Sequence, residues 1–326
     1  MKPKVIVYKK VYPEILVELR EKCEVVYFEE LNPSTMPLFY EELKDAEGLI
    51  GTGLKVNDEL LERAPKLKIV SNIAVGYDNF DLSALNRAGV MATNTPDVLT
   101  DTVADTMMGL MLATARRIPE MDRFVKTGQW TSHLTSQQFG RDVHHKTLGI
   151  IGMGRIGSAI AKRAHLGFDM NILYHNRSRN EAVESLYQAT YCTLEELCQQ
   201  ADFICLMVPL SAETTKLIGM KEFQQMKKSA IFVNGSRGAT VDEEALVEAL
   251  KQGEILAAGL DVFVKEPVNP EHPLLQMPNV VTLPHIGSAT EETRLRMAQY
   301  AKENLLAGLF GKKPPALLNE EVYSGK

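Results

Sequence analysis

At 326 residues the chain is long enough for two domains of ~150 residues, each with its own core. Apolar residues make up 45% and charged residues 24%, with 22 Gly and 15 Pro, which excludes low-complexity, collagenous and short disulfide-stapled chains. Lys plus Arg number 36 against 42 for Asp plus Glu; the formal charge of -6 gives no general attraction to phosphate backbones, so no nucleic-acid partner is expected.

The four cysteines, Cys23, Cys192, Cys198 and Cys205, form no CxxC pair and sit among ordinary apolar residues. Reduced thiols and a cytoplasmic location are expected, with no metal cluster. Near the N-terminus only Val5 to Tyr8 is apolar, between lysines, so a secretory signal is not expected. The apolar stretches 107–115 and 203–210 are about half the ~18 residues that a membrane span requires, and no membrane partner is expected.

Along the chain, short Val/Ile-rich runs alternate with segments of helical period, which predicts an α/β fold with parallel sheets crossed over by helices. The first third carries five candidate strands: Val5 to Tyr8, Cys23 to Phe28, Gly48 to Gly51, Lys68 to Ser71 and Val90 to Thr93. Next, Leu99, Val103, Met107, Leu110, Met111, Thr114, Ile118, Met121 and Val125 recur every three or four residues, the spacing of one long helix that Thr100 is placed to cap. Its methionine-rich stripe suits a bridge between domains or a contact with a second copy. Six further strands follow: Leu148 to Ile151, Asn171 to Tyr174, Phe203 to Val208, Ala230 to Asn234, Ala257 to Val262 and Val280 to Leu283. From Ser288 the pattern is helical again, until Gly311 and the Pro314, Pro315 stop.

Directly after Leu148 to Ile151 comes Gly152-Met153-Gly154-Arg155-Ile156-Gly157, and Ile156, Ile160 and Ala164 continue on one helical face. A strand, a glycine loop and a helix in this order let a pyrophosphate rest on free amides at the positive end of the helix dipole, which predicts dinucleotide binding. A cofactor with a free 2'-hydroxyl favours an acidic residue at the end of the next strand. Here the sequence reads His175-Asn176-Arg177-Ser178-Arg179, without a carboxylate, and two guanidinium groups are in place to bind a 2'-phosphate. NADP(H) is therefore the expected cofactor, with NAD(H) as a possible substitute.

Ligands of open α/β sheets bind beyond the carboxyl ends of the strands. Three such ends carry unusual polar groups: Arg237 after Ala230 to Asn234, Glu266 after Ala257 to Val262, and His285 after Val280 to Leu283. Together they match the needs of a 2-keto acid reductase. His285 would protonate the developing alkoxide, Glu266 would orient and charge the ring, and Arg237 would grip the substrate carboxylate in a planar fork. His144 and His145 rank lower, because adjacent side chains in an extended segment point apart. His133, His165 and His272 have no carboxylate or thiol partner at ligand spacing, and Trp130 suits packing or an interface.

With these residues in place, the chain resembles a D-isomer-specific 2-hydroxyacid dehydrogenase over essentially its full length. The resemblance rests on Val75-Gly76-Tyr77-Asp78-Asn79-Phe80-Asp81, Gly152 to Gly157, Phe232 to Gly238, Gly259 to Phe263 with Glu266-Pro267, and Pro284 to Thr290. Within the family, Asp142 to Gly149 and the Arg177 region are most similar to bacterial glyoxylate/hydroxypyruvate reductases, also described as 2-ketogluconate reductases. The resemblance implies His285 as proton donor, Glu266 as its partner and Arg237 as substrate anchor. It adds the backbone amides of Val75 and Gly76 as carboxylate donors, Asp261 as nicotinamide contact, and Val208, Pro209, Ser236 and Thr106 as cofactor lining. It further implies a Rossmann domain over residues 99–287, inserted into a smaller flavodoxin-like substrate domain made of 1–98 and 288–326. A homodimer would form through the helix that begins near Leu99. Two alternatives use the same fold: a cofactor-sensing corepressor or scaffold, which the intact Arg237, Glu266 and His285 disfavour, and an NAD-dependent dehydrogenase, which an acidic residue near His175 would accompany.

Overall fold

In the computed structural model, which describes residues 2–324, the chain divides into two compact units, Met1–Leu99 with Ala289–Lys326, and Thr100–Ser288. The first holds β1 (Lys4–Val7), β2 (Glu24–Tyr27), β3 (Gly48–Gly51), β4 (Ile69–Asn72) and β5 (Met91–Thr93) in one sheet of order β2-β1-β3-β4-β5. Every pairing is parallel, and the order is the flavodoxin-like 2-1-3-4-5. Val5, Ile6 and Val7 are fully buried, as expected of a parallel strand covered on both faces. The helix Glu291–Leu309, from the other end of the chain, lies on this sheet: Ala301 and Leu305 are fully buried and Ser71 Oγ donates to Ala301 O at 2.7 Å. Thr290 caps that helix, accepting from the Thr293 amide.

The second unit holds β6 (Thr147–Ile151), β7 (Asn171–His175), β8 (Thr190–Tyr191), β9 (Phe203–Leu206), β10 (Ile231–Asn234), β11 (Ala257–Leu260) and β12 (Val280–Thr282). Their order, β12-β11-β10-β9-β6-β7-β8, is all parallel and extends the doubly wound 3-2-1-4-5-6 arrangement by one strand. The fold class expected from the sequence is thus present in both units. Two expectations need correction. The sheet has seven strands, because the two-residue β8 is too short to leave a hydrophobic run in the sequence. The expected strands ending at Val208 and Val262 stop at Leu206 and Leu260, where pairing with the neighbouring strands ends.

The expected single helix from Leu99 is two helices, Thr100–Ala115 and Ile118–Lys126. Pro119 accounts for the break, since its ring excludes the carbonyl four residues earlier, that of Ala115, and the first helix ends on that residue. Arg117 takes a left-handed φ of 57° between them, and Pro119 sits in the first turn of the second helix, where its missing N–H costs nothing. The apolar stripe divides with the helices. Val103, Met107, Leu110, Met111 and Thr114 are buried, whereas Ile118 and Val125 are more than half exposed.

Candidate active site

The order of the second sheet reverses between β6 and β9, and the glycine loop leaves β6 at that point. Gly152 has φ 102°, and a Cβ there would meet Met207 O at 2.6 Å; a Cβ on Gly157 would meet Gly152 O at 2.3 Å. Only glycine permits this turn and this approach of helix to strand. Gly154 is the N-cap of the helix Arg155–Phe168 and has no side chain to bond the first turn, so the Ile156 and Gly157 amides lack a side-chain cap. A cradle closed to any Cβ beneath an uncapped helix N-terminus fits a dinucleotide pyrophosphate. Val208 is half-buried and Pro209 exposed beyond β9, across the loop from Gly152.

At the end of β7, His175 is half-buried, its Nδ1 is 3.0 Å from Cys192 O, and its ring stacks on Tyr191 at 6.5 Å. The Asn176 carbonyl accepts from Tyr191 Oη at 3.1 Å, and Arg177 and Ser178 are exposed. The expected pair of available guanidinium groups is reduced to one. Arg179 forks onto Glu184 at 3.0 and 2.6 Å, and Tyr174 Oη donates to the same carboxylate at 2.5 Å. The bonds from Arg179 and Tyr174 hold the Glu184 carboxyl below the usual carboxylate range. Sequence proximity missed this pair because Glu184 is five residues past Arg179, one turn into the next helix.

Asn234 ends β10 and organises the segment bearing Arg237. Its Oδ1 accepts from Ser236 N at 3.0 Å and Ser236 Oγ at 2.8 Å, and its Nδ2 donates to Arg237 O at 3.2 Å. Thr240 Oγ1 also donates to Arg237 O, at 2.6 Å. Gly238 lies directly against the backbone of Phe263 and Val264, where a Cβ would come within 1.9 Å of Phe263 C. That contact packs the Arg237 segment onto the segment leading to Glu266. Sequence reading passed over Asn234, although Asn-Gly-Ser at a strand end is an Asx-turn signal.

Glu266 divides its carboxylate between two tasks. Oε1 accepts from the Phe263 amide at 3.0 Å, and Oε2 lies 2.7 Å from His285 Nδ1. With a carboxylate at Nδ1, the geometry assigns that nitrogen the proton in both charge states, and leaves Nε2 as the nitrogen that exchanges one. His285 is itself left-handed, at φ 53°, and its ring is 46% exposed. The conformation is held from behind by Asp261, whose two oxygens accept from Ile286 N at 2.7 Å and Gly287 N at 2.8 Å. Burial pushes the Asp261 carboxyl up despite these two amides. Thr106 Oγ1 reaches Gly287 O at 3.3 Å from the helix Thr100–Ala115.

Contrary to expectation, the backbone at His144 and His145 is a turn and not extended. His145 is left-handed at φ 60° and the two rings meet edge to face at 4.9 Å. Among the described residues, no group of three or more His, Cys, Asp or Glu side chains is arranged to hold a metal ion.

Comparison with known proteins gives these observations a family. The NAD-binding domain of the D-isomer specific 2-hydroxyacid dehydrogenases matches residues 108–287. Glyoxylate/hydroxypyruvate reductase B of Escherichia fergusonii is 53% identical over 322 residues, 99% of each chain. The protein of the same name from Escherichia coli K12 is 50% identical over the same length, again 99% of each chain. Among solved structures, an NADPH-dependent glyoxylate/hydroxypyruvate reductase of Sinorhizobium meliloti, in complex with NADP and malonate, has 34% identity and a TM-score of 0.86 over 98% of each chain. The chain belongs to the D-isomer specific 2-hydroxyacid dehydrogenase family. It is an NAD(P)-dependent oxidoreductase acting on CH–OH groups, and it binds a nicotinamide dinucleotide.

Proposed function

We propose that the protein reduces small 2-keto acids, glyoxylate, hydroxypyruvate and 2-ketogluconate among them, to D-2-hydroxy acids with NADPH as preferred reductant. The observation that carries this reading is the His285 Nδ1 to Glu266 Oε2 bond of 2.7 Å at the carboxyl edge of the seven-stranded sheet. Gly152, Gly154, Arg155, Ile156 and Gly157 would hold the pyrophosphate, with Thr106, Val208, Pro209, Ser236 and Asp261 toward the nicotinamide. His175, Asn176, Arg177 and Ser178 would surround the adenine ribose. The reduced nicotinamide supplies a hydride when bound. His285 delivers the proton that the carbonyl oxygen then takes up, and Glu266 holds the ring by its Nδ1. Arg237 binds the substrate carboxylate and so fixes the carbonyl for attack, and the Val75 and Gly76 amides are assigned separately as carboxylate donors of the first unit.

Exposed Arg177 and the absence of a carboxylate from 175–178 support NADPH, since the guanidinium pairs with a 2'-phosphate and an acidic side chain would repel one. The similarity to reductases named for glyoxylate and hydroxypyruvate supports the substrate class. The test is initial rates on glyoxylate, hydroxypyruvate and 2-ketogluconate with each reduced cofactor. Turnover of at least one with a higher kcat/KM for NADPH is expected. A preference for NADH would overturn the cofactor assignment, and tight cofactor binding without oxidation by any 2-keto acid would favour a sensor.

A further inference from the structure

Beyond β4, three consecutive peptide units turn their carbonyls onto fixed donors. Ala74 O accepts from the Thr95 amide at 2.9 Å, Val75 O from Asn94 Nδ2 at 2.8 Å, and Gly76 O from Asn72 Nδ2 at 2.7 Å. In a trans peptide the N–H points opposite to the C=O, so tying these carbonyls aims the Val75, Gly76 and Tyr77 amides the other way. None of those three amides donates to another described residue. Three consecutive amides without a partner among the described residues, at the carboxyl edge of a parallel sheet, are donors available to an anion.

The two asparagines are the fixed points. Asn72 is the last residue of β4 and Asn94 follows β5; both are buried, at 1% and 7% exposure. Asn72 Oδ1 is buried with no partner, so the donation to Gly76 O is what sets the orientation of this amide. Each residue is braced in turn: Asn72 Nδ2 also lies 3.4 Å from Asn79 Oδ1, Asn79 Nδ2 donates to Leu54 O at 2.8 Å, and Asn94 O accepts from Asn304 Nδ2 at 3.0 Å.

We infer that Asn72 and Asn94 are positioning residues that preorient the Val75, Gly76 and Tyr77 amides toward a substrate carboxylate. This rests on the keto acid reductase reading above and adds the means by which the acid is told from its uncharged analogues. Donors already aimed need no reorganisation when the anion arrives, and a hydrogen bond accepted at the carbonyl strengthens donation from the N–H of the same peptide. Tyr77 joins the donors by this argument, a third amide that the sequence resemblance did not include.

The experiment compares glyoxylate with its methyl ester in wild type and in Asn72→Asp, Asn94→Asp, Asn72→Ala and Asn94→Ala. An aspartate keeps the shape and removes the donor, and an alanine removes the donor without adding charge. We expect kcat/KM for the acid to fall about 10- to 100-fold, mostly through KM, because small misplacements of binding groups have effects of that size. The preference for acid over ester should shrink by a similar factor, with cofactor affinity unchanged in a fluorescence titration. An undiminished preference in the variants would overturn the inference, even if overall rates fell. Failure of both the Asp and the Ala variant to fold, at both positions, would also overturn it by assigning the pair to stability. A wild-type enzyme that reduces no 2-keto acid would instead overturn the underlying reading.

Discussion

Around His285, the proposed proton donor, Glu266 and Asp261 hold the ring and the backbone that follows it. A left-handed, half-exposed histidine is not held by packing, so its position depends on the bonds at its flanks, Glu266 in front and Asp261 behind. Asparagine at position 261 offers one acceptor to two amides and turns an NH2 toward the other, leaving a buried donor unsatisfied at a cost of about 1–3 kcal/mol. His285→Ala should lower kcat by about 100- to 10,000-fold with little effect on cofactor affinity. Asp261→Asn should reproduce part of that loss, about 10-fold or more, by displacing the ring. Single-turnover rates beside cofactor titrations check this. If Asp261→Asn weakens cofactor binding but leaves the chemical step intact, the anchoring role is wrong.

At the scale of elements, charges at strand ends tie the second sheet together before any ligand is involved. Asp202, just before β9, accepts from Lys227 Nζ at 2.8 Å and from the Thr147 amide, at the start of β6, at 3.0 Å. Partial burial alone would raise its carboxyl, but the ammonium and the amide outweigh it, and the net position lies below the usual range. A folded pKa below the unfolded one gives stability that is present above about pH 3.9 and is lost as pH falls through the folded value. Asp202→Asn should therefore cost about 1 kcal/mol near neutrality, and the difference from wild type should vanish in strong acid. Urea midpoints at pH 7 and pH 3 test this; a gap of equal size at both would refute the charge-based account.

At the scale of the whole molecule, exposed apolar side chains collect in the stretch that follows the helix break. Ile118, Val125, Trp130, Leu134 and Phe139 are each 49–63% exposed within 22 residues of sequence, and the helix Ile118–Lys126 buries none of its residues. Isolated exposed apolar side chains are ordinary, but five lie within this one stretch, and we propose that a second copy of the chain covers them. Sedimentation equilibrium should give a dimer mass, and Val125→Asp with Trp130→Ser should shift it toward monomer. A monomeric wild type at micromolar concentration would exclude this.

The alternation of short buried runs with helical segments determined the class of fold, and Gly152 to Gly157 determined where a dinucleotide would rest, because both follow from local steric and hydrogen-bond rules. That Glu266 and His285 would follow neighbouring strand ends could be read from the sequence, and the structure places them 2.7 Å apart. Pro119 was visible but outvoted by an apolar period that runs through it, and β8 was too short to register. Partnerships required the tertiary structure: Arg179 with Glu184, Asp261 with the two amides after His285, Asn72 with the carbonyl of Gly76 and Asn94 with that of Val75. A hydrogen bond depends on distance and direction in three dimensions, and spacing along the chain constrains neither once the partners belong to different elements.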